Sequence, residues 1–324
     1  MEGQADFLGK DWILAGFGLH FARCKLHSFS MRRIGIDLGG TKIETILTTE
    51  NPMEVLERRR VPTLQTEGYE ALVQELATLI QELQEKCEGK ARVGLGIPGV
   101  MSPQDGVVAT SNILCLSGQS LQADLENAAG CGVTIGNDAN CFALIEALHG
   151  AGKGFGVVLG VILGTGMGGG VVYQGRVWPG AQGLAGEWGH STIDPQGALC
   201  YCGRRGCQEQ YISGTGIRRM YRERTGREKS APEIHDHAKD GADPDAQAVM
   251  ATFLELYAQA LANLIFCFDP DAIVIGGGVS NLPMLYNEGR ERIAELVLNR
   301  ELSTQIRPNQ LGDASGVYGA AALA

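Results

Sequence analysis

Three times in this chain a short apolar run drives straight into a glycine-rich turn, and this pattern constrains the fold more than any other feature. The first is Ile34-Gly35-Ile36-Asp37-Leu38-Gly39-Gly40-Thr41-Lys42. The second is Val158 to Leu163 running into Gly164-Thr165-Gly166-Met167-Gly168-Gly169-Gly170, and the third is Ala272-Ile273-Val274-Ile275 followed by Gly276-Gly277-Gly278. Apolar runs of this length closed by glycine read as buried strands. Consecutive glycines let backbone N–H groups approach a phosphate with no Cβ in the way, and they permit the positive φ that such a cradle requires. A single turn of this kind is an ordinary hairpin signal, and the second, with Gly169 to Tyr173 after it, has the form of a hairpin. Three in one chain, two of them with Asp or Thr beside the glycines, point to nucleotide binding. None fits the Walker pattern, and none is a Gly-x-Gly-x-x-Gly opening a helix.

The segments between the turns alternate. Residues 67–87 place Leu72, Val73, Leu76, Leu79, Ile80 and Leu83 on one face of an amphipathic helix. A buried strand follows at 92–97, stopped by Pro98-Gly99. A second strand at 132–136 meets a helix at 139–148, and either Asn137 or Asp138 can serve as its N-cap. A long apolar helix at 245–267 ends at Asp269-Pro270, before the strand at 272–275. This rhythm predicts mixed α/β layers.

Residues 190 to 207 read His190-x9-Cys200-x-Cys202-x4-Cys207, with Gly203 and Gly206 letting the chain wrap tightly. Four such ligands at this spacing suit a closed tetrahedral zinc site. A metal with four protein ligands has no open position for water, so its task is to stiffen a loop that presents the flanking Glu187 and Glu209 to something else. The other cysteines of the nine are scattered, which excludes a disulfide framework and predicts a reducing, cytoplasmic setting.

At 324 residues the chain has room for two domains. Its net charge is −10, and Arg58-Arg59-Arg60 is the nearest approach to a basic cluster, so no nucleic-acid footprint is expected and these arginines read as a solvated strand edge. The apolar stretch 12–19 is too short to span a bilayer, and Glu2, Asp6 and Asp11 stand where a secretory signal carries positive charge. No membrane partner is expected. Residues 1–30 show no sustained period and read as an N-terminal extension outside the fold.

The motifs Asp37-Leu-Gly-Gly-Thr-Lys42, Gly96-Ile-Pro-Gly99, Asn137-Asp-Ala-Asn140, Gly164-Thr-Gly-Met-Gly-Gly-Gly170, Glu187-Trp-Gly-His190, Cys200-Tyr-Cys-Gly-x-x-Gly-Cys207 and Gly276-Gly-Gly278 occur in an order that resembles the ROK family of bacterial sugar kinases and repressors. The likeness runs from Met31 to the C-terminus. Within the family the chain looks most like the zinc-bearing fructokinase (manno(fructo)kinase) branch, and next most like N-acetylglucosamine kinase.

The resemblance implies a two-lobed actin/hexokinase-like (ribonuclease H-like, duplicated) α/β fold. Each lobe would be built on a mixed five-stranded sheet, with a cleft between the lobes and a small zinc-binding loop. The lobes would be residues 31–149 and 150–324, with the helix at 316–323 returning to the first. It implies ATP-dependent phosphorylation of a hexose hydroxyl, fructose first, in a homodimer. Asp138 is the general base, taken as an ordinary carboxylate of pKa near ~3.9. Asn112, Asn137, Asp138, Glu187, His190 and Glu209 hold the sugar. Gly39, Gly40, Thr41 and Lys42 form the first ATP phosphate turn, Gly164, Thr165, Gly166 and Gly168 the second, and Gly276, Gly277 and Gly278 approach the nucleoside. Asp37 supports magnesium through water. His190, Cys200, Cys202 and Cys207 bind structural zinc, with the second ring nitrogen of His190 facing the sugar.

Trp188 beside the sugar loop either narrows the space that an N-acetyl group needs or serves core packing. A non-catalytic sugar sensor is the alternative from another class. A repressor would need a helix-turn-helix ahead of the first glycine turn; the 36 residues before Asp37, with glycines at 3, 9, 16 and 18, show no helix pair.

Overall fold

The computed structural model describes residues 31–50, 53–87, 90–298 and 301–324, so the reading of residues 1–30 lies outside the described residues. The chain begins with an antiparallel meander of β1 (Arg32–Leu38), β2 (Lys42–Thr49) and β3 (Val55–Pro62), then α1 (Tyr69–Gln84) and β4 (Arg92–Ile97). A small hairpin, β5 (Gly99–Met101) and β6 (Val108–Ser111), precedes α2 (Leu121–Ala129), β7 (Val133–Asn137) and α3 (Asp138–His149). Next come β8 (Val157–Leu163), β9 (Met167–Tyr173) and β10 (Arg176–Val177). The helices α4 (Glu209–Ile212), α5 (Gly214–Thr225), α6 (Ala231–Lys239) and α7 (Pro244–Phe268) follow. The chain closes with β11 (Ala272–Gly276), α8 (Glu288–Leu296), β12 (Gln305–Pro308) and α9 (Ser315–Leu323).

These strands form two five-stranded sheets of the same design, in the orders β3-β2-β1-β4-β7 and β10-β9-β8-β11-β12. In each, an antiparallel meander occupies one side and two parallel strands the other. The first and second glycine turns are therefore equivalent hairpin tips. α1 covers the first sheet with Leu72, Leu76, Ile80 and Leu83, all fully buried. α7 anchors the second core through Phe253, Tyr257 and Leu261. Among the described residues α7 alone is long and apolar enough to cross a membrane, yet more than half of that stretch is buried among the protein's own residues. β3 is an edge strand, but Arg58 and Arg60 are not merely solvated: both donate to the buried Glu44 carboxylate.

Two helices exchange sheets. α3 leaves the end of β7 and packs on β8 and β9, whereas α9 leaves the second sheet and packs on β1 and β4. Glycines inside the strands make this close approach possible. A Cβ on Gly35 or Gly94 would overlap the α9 carbonyls of Val317 or Ala320, and one on Gly319 would overlap the α3 carbonyl of Cys141 where the two helices cross. A Cβ on Gly160 or Gly276 would likewise overlap Ala143 or Phe142 of α3, whereas one on Gly168 would meet Ala139 only at ordinary contact distance. Gly276 thus makes room for α3. The expected positive φ is also rare: among the cofactor-turn glycines only Gly277 adopts it, at +82°.

Candidate active site

The β7–α3 junction sets the chemistry. Asn137 is the N-cap of α3, its Oδ1 accepting from the amides of Ala139 at 2.8 Å and Asn140 at 3.3 Å, while its Nδ2 donates to the Gly99 carbonyl at 3.0 Å. That cap fixes Asp138 as the first helical residue, with Oδ1 accepting from the Ala139 amide at 2.8 Å. A cavity of about 820 Å³ opens in front of it. Asn112, Asn137, Asp138, Glu187 and His190 all line it, which brings together five of the six sugar-binding candidates.

Glu209 is the exception. It is absent from that lining, and its Oε2 accepts from the Met167 amide at 3.0 Å, tying the second glycine turn to the start of α4. A Cβ on Gly166 would overlap this carboxylate, so Gly166 also faces protein.

Glu187 and His190 open and close a single 3-10 turn, Glu187–His190, entered through Gly186 at φ 108°. In a 3-10 helix residues i and i+3 eclipse. Both polar side chains therefore face the cavity, with His190 Nε2 and Glu187 Oε2 4.0 Å apart. Trp188 points the other way, buried against Gly169 and edge-on to Phe268 at 6.0 Å. It does not line the cavity, so the reading that it narrows the sugar site is overturned.

Asp138 is not an ordinary carboxylate. Burial raises its pKa to about 6; the Ala139 amide opposes this, and the charges of Asp37 and Glu187 reinforce it. Burial also raises Asp37, with Glu44 adding to it and Lys42 opposing, and it raises Glu187, with His190 opposing and Glu209 adding to it. Three carboxylates thus share one poorly solvated region, an arrangement suited to proton transfer near neutral pH and to a cation.

A second cavity, of about 460 Å³, lies between the second and third glycine turns. Gly164, Thr165 and Gly278 line it together with Gly214, Thr215, Arg218, Ser230, Pro232 and Leu282. The turn is held by amides at the start of α5: Gly214 donates to the Gly164 carbonyl at 2.8 Å and Thr215 to the Thr165 carbonyl at 3.3 Å. Nothing lies within 4 Å of where a Cβ would sit on Gly40, Gly164 or Gly278, which leaves their backbone faces open to a ligand. Gly277 turns its strained φ to the Leu163 carbonyl instead. Gly39, Gly40, Thr41 and Lys42 line neither cavity. Their turn lies at the end of the strand that carries Asp37, closed by a hydrogen bond of 2.9 Å from the Gly39 amide to the Lys42 carbonyl.

His190, Cys200, Cys202 and Cys207 converge, with all four ligand atoms within 4.8 Å of one another. Cys202 Sγ and Cys207 Sγ are 3.5 Å apart, and Cys200 Sγ is 3.7 Å from His190 Nδ1. Zinc bonds of their usual length put the ligands of a tetrahedron about 3.5–3.8 Å apart, so the donor set fits zinc in both chemistry and spacing. Burial, with the neighbouring thiols, pushes Cys207 up to about 12, a state that a cation between the thiols would reverse.

Comparison with known proteins agrees with this geometry. The ROK family model matches residues 33–324. The chain belongs to the ROK family. It is 42% identical over 299 residues to the N-acetyl-D-glucosamine kinase of Aliivibrio salmonicida, covering 89% of this chain and 98% of that protein. Among solved structures it resembles the ROK hexokinase of Thermus thermophilus, with a TM-score of 0.80, 33% identity, and coverage of 91% and 98%. It also resembles the ROK glucokinase of Streptomyces griseus in complex with glucose and AMPPNP, with a TM-score of 0.71, 30% identity, and coverage of 90% and 99%. The two-lobed ROK fold expected from the motifs is the fold observed.

Sequence reasoning missed Tyr201 and Arg204 in the first cavity, and Thr215, Arg218 and Ser230 in the second. Tyr201 had a signal, an aromatic residue between two metal-type cysteines. The others had none, because the turns that deliver them come together only in three dimensions.

Proposed function

We propose that this ROK-family chain transfers the terminal phosphoryl group of ATP to a sugar hydroxyl, the 6-hydroxyl of N-acetylglucosamine, with Asp138 as general base. The observation that carries the kinase reading is Asp138 itself. It is a half-buried carboxylate with a pKa near the working pH, at the mouth of a helix, in a cavity walled by Asn112, Asn137, Glu187 and His190. Donors and acceptors of this kind fork onto neighbouring hydroxyls. Residues 31–149 form the lobe that supplies the base and part of the sugar wall, and residues 150–324 form the nucleotide lobe. ATP lies with its nucleoside in the second cavity, against Thr165, Gly164 and Gly278. The Gly39–Lys42 turn, beside Asp37, meets its terminal phosphates. Magnesium, when bound, neutralises phosphate charge, and Asp37 supports it through water. Glu209 acts as a strut between the second turn and the cysteine loop.

Two observations favour N-acetylglucosamine over the fructose expected from sequence. The name of the Aliivibrio relative is one. The other is the inward turn of Trp188, which removes the obstacle that argued against an N-acetyl group. A coupled ADP-release assay over N-acetylglucosamine, N-acetylmannosamine, glucose, mannose, fructose and allose is expected to give the highest kcat/KM for N-acetylglucosamine. Loss of one small group costs about 10- to 200-fold, so plain hexoses are turned over weakly. A panel led by fructose would restore the fructokinase reading, and no turnover with any sugar would leave a sensor.

Asp138 accepts a proton only as the carboxylate. Its raised pKa therefore places the acid limb of kcat/KM near pH 6, with activity rising through that value and level above it. An acid limb near pH 4 would show that burial does not perturb this group in the free enzyme.

Structural zinc is expected at about one per chain, from the four-ligand set His190, Cys200, Cys202 and Cys207. Cys202→Ser is then expected to lose the metal and lower both the melting temperature and sugar affinity, since His190 and Glu187 share the loop's anchor. Elemental analysis of the active protein decides it; full activity without metal would exclude the site.

A further inference from the structure

We propose that Tyr201 gates the sugar cavity by occupying the one ring nitrogen of His190 that faces it. The inference rests on the sugar-binding reading above. His190 turns Nδ1 toward the thiols, 3.7 Å from Cys200 Sγ, so Nε2 is the nitrogen that looks into the cavity. Each ring nitrogen of an imidazole offers one site, a proton or a lone pair, for one strong hydrogen bond. The Nε2 site already has a partner. Tyr201 Oη stands 2.9 Å from Nε2, with the two rings edge to face at 5.1 Å and 90°.

One ring nitrogen makes one strong hydrogen bond, so a sugar hydroxyl reaching for His190 Nε2 must displace the Tyr201 hydroxyl. The geometry permits this exchange. The Tyr201 backbone is pinned between Cys200 and Cys202, where the Cys200 amide donates to the Arg204 carbonyl at 2.8 Å and the Gly203 amide to the Cys200 carbonyl at 3.0 Å. The residue, in contrast, is 77% exposed, and among the described residues its only ring partner is His190. A fixed backbone with a nearly free ring is the construction of a gate. A residue that merely braced the loop would be packed on both faces. The gate lowers affinity for every sugar that uses His190, so its effect belongs to binding and not to phosphoryl transfer.

Tyr201→Phe keeps the ring and removes the competing oxygen. Sugar affinity is measured by calorimetry without nucleotide, alongside KM for sugar and for ATP, kcat and zinc content. Removing one competing hydrogen bond is expected to tighten sugar binding by about two- to ten-fold and lower the sugar KM in step. The kcat, the KM for ATP and the zinc content are expected to stay unchanged. Unchanged or weaker sugar binding by the variant overturns the gate, the weaker result making Tyr201 a direct ligand; loss of zinc makes it a loop brace and also overturns it. Wild-type protein that binds none of the six sugars sinks the gate and the kinase reading together. Wild-type protein that binds sugar no more weakly than Tyr201→Phe sinks the gate alone.

Discussion

Asp138→Asn is expected to lower turnover by about 10²–10⁴-fold while leaving the fold and ATP affinity intact, the usual cost of removing a positioned general base. The amide keeps the shape of the carboxyl and can still accept from the Ala139 amide, as the Asp138 side chain does. What it cannot do is take the hydroxyl proton as the oxygen bonds to phosphorus. Stability separates this loss from unfolding. The folded-state pKa of Asp138 lies above its ordinary value, so the folded protein holds this proton more tightly than the unfolded chain. The group's contribution is therefore most favourable below the unfolded pKa and is lost as pH rises through about 6. Asn never carries the buried charge. The variant should melt no lower than wild type at pH 7.5, and its advantage should shrink toward pH 4. Turnover reduced less than about threefold would mean that Asp138 only begins the helix and another carboxylate does the work.

Gly319→Ala is expected to damage the molecule more broadly. Its Cβ would overlap the carbonyl, carbon and Cα of Cys141, all backbone atoms of the fully buried middle of α3, so no side chain can swing away to make room. Overpacking of this kind costs about 1–3 kcal/mol, a fall of roughly 2–12 °C in melting temperature. Since α3 also carries Asp138 into the cavity, kcat is expected to fall as well. Gly132→Ala is the control: nothing lies within 4 Å of a Cβ there, and its φ is not left-handed. Equal melting temperatures for the two variants would show that α3 and α9 do not cross in contact.

Much of the site was legible because its chemistry is local in sequence. The candidate metal ligands at positions 190, 200, 202 and 207, the Glu187–His190 pair and the Asn137–Asp138 junction each lie within one turn or loop, so residue type and spacing carry them. The two-lobed fold came from motif order. Glycine was the ambiguous letter, since the same residue serves a ligand's approach, a positive φ or a close helix crossing. Gly164 and Gly278 face open space, Gly277 takes the positive φ, and Gly276 makes room for α3. Sequence offers no way to tell these apart, because the neighbour that matters lies more than a hundred residues away or is absent altogether.

The sequence by itself determined the alternation of strands and helices, the ROK motif order, the cysteine–histidine ligand set and the identity of the candidate base. Tertiary structure alone decided three things. It turned Trp188 away from the cavity, to pack against Gly169 and Phe268. It moved Glu209 onto the Met167 amide. It also raised Asp138 from an ordinary carboxylate to one poised near pH 6. The reason is common to all three: which way a side chain points, and how much water and charge it meets, depends on distant segments packed around it, and residue type and spacing do not encode that.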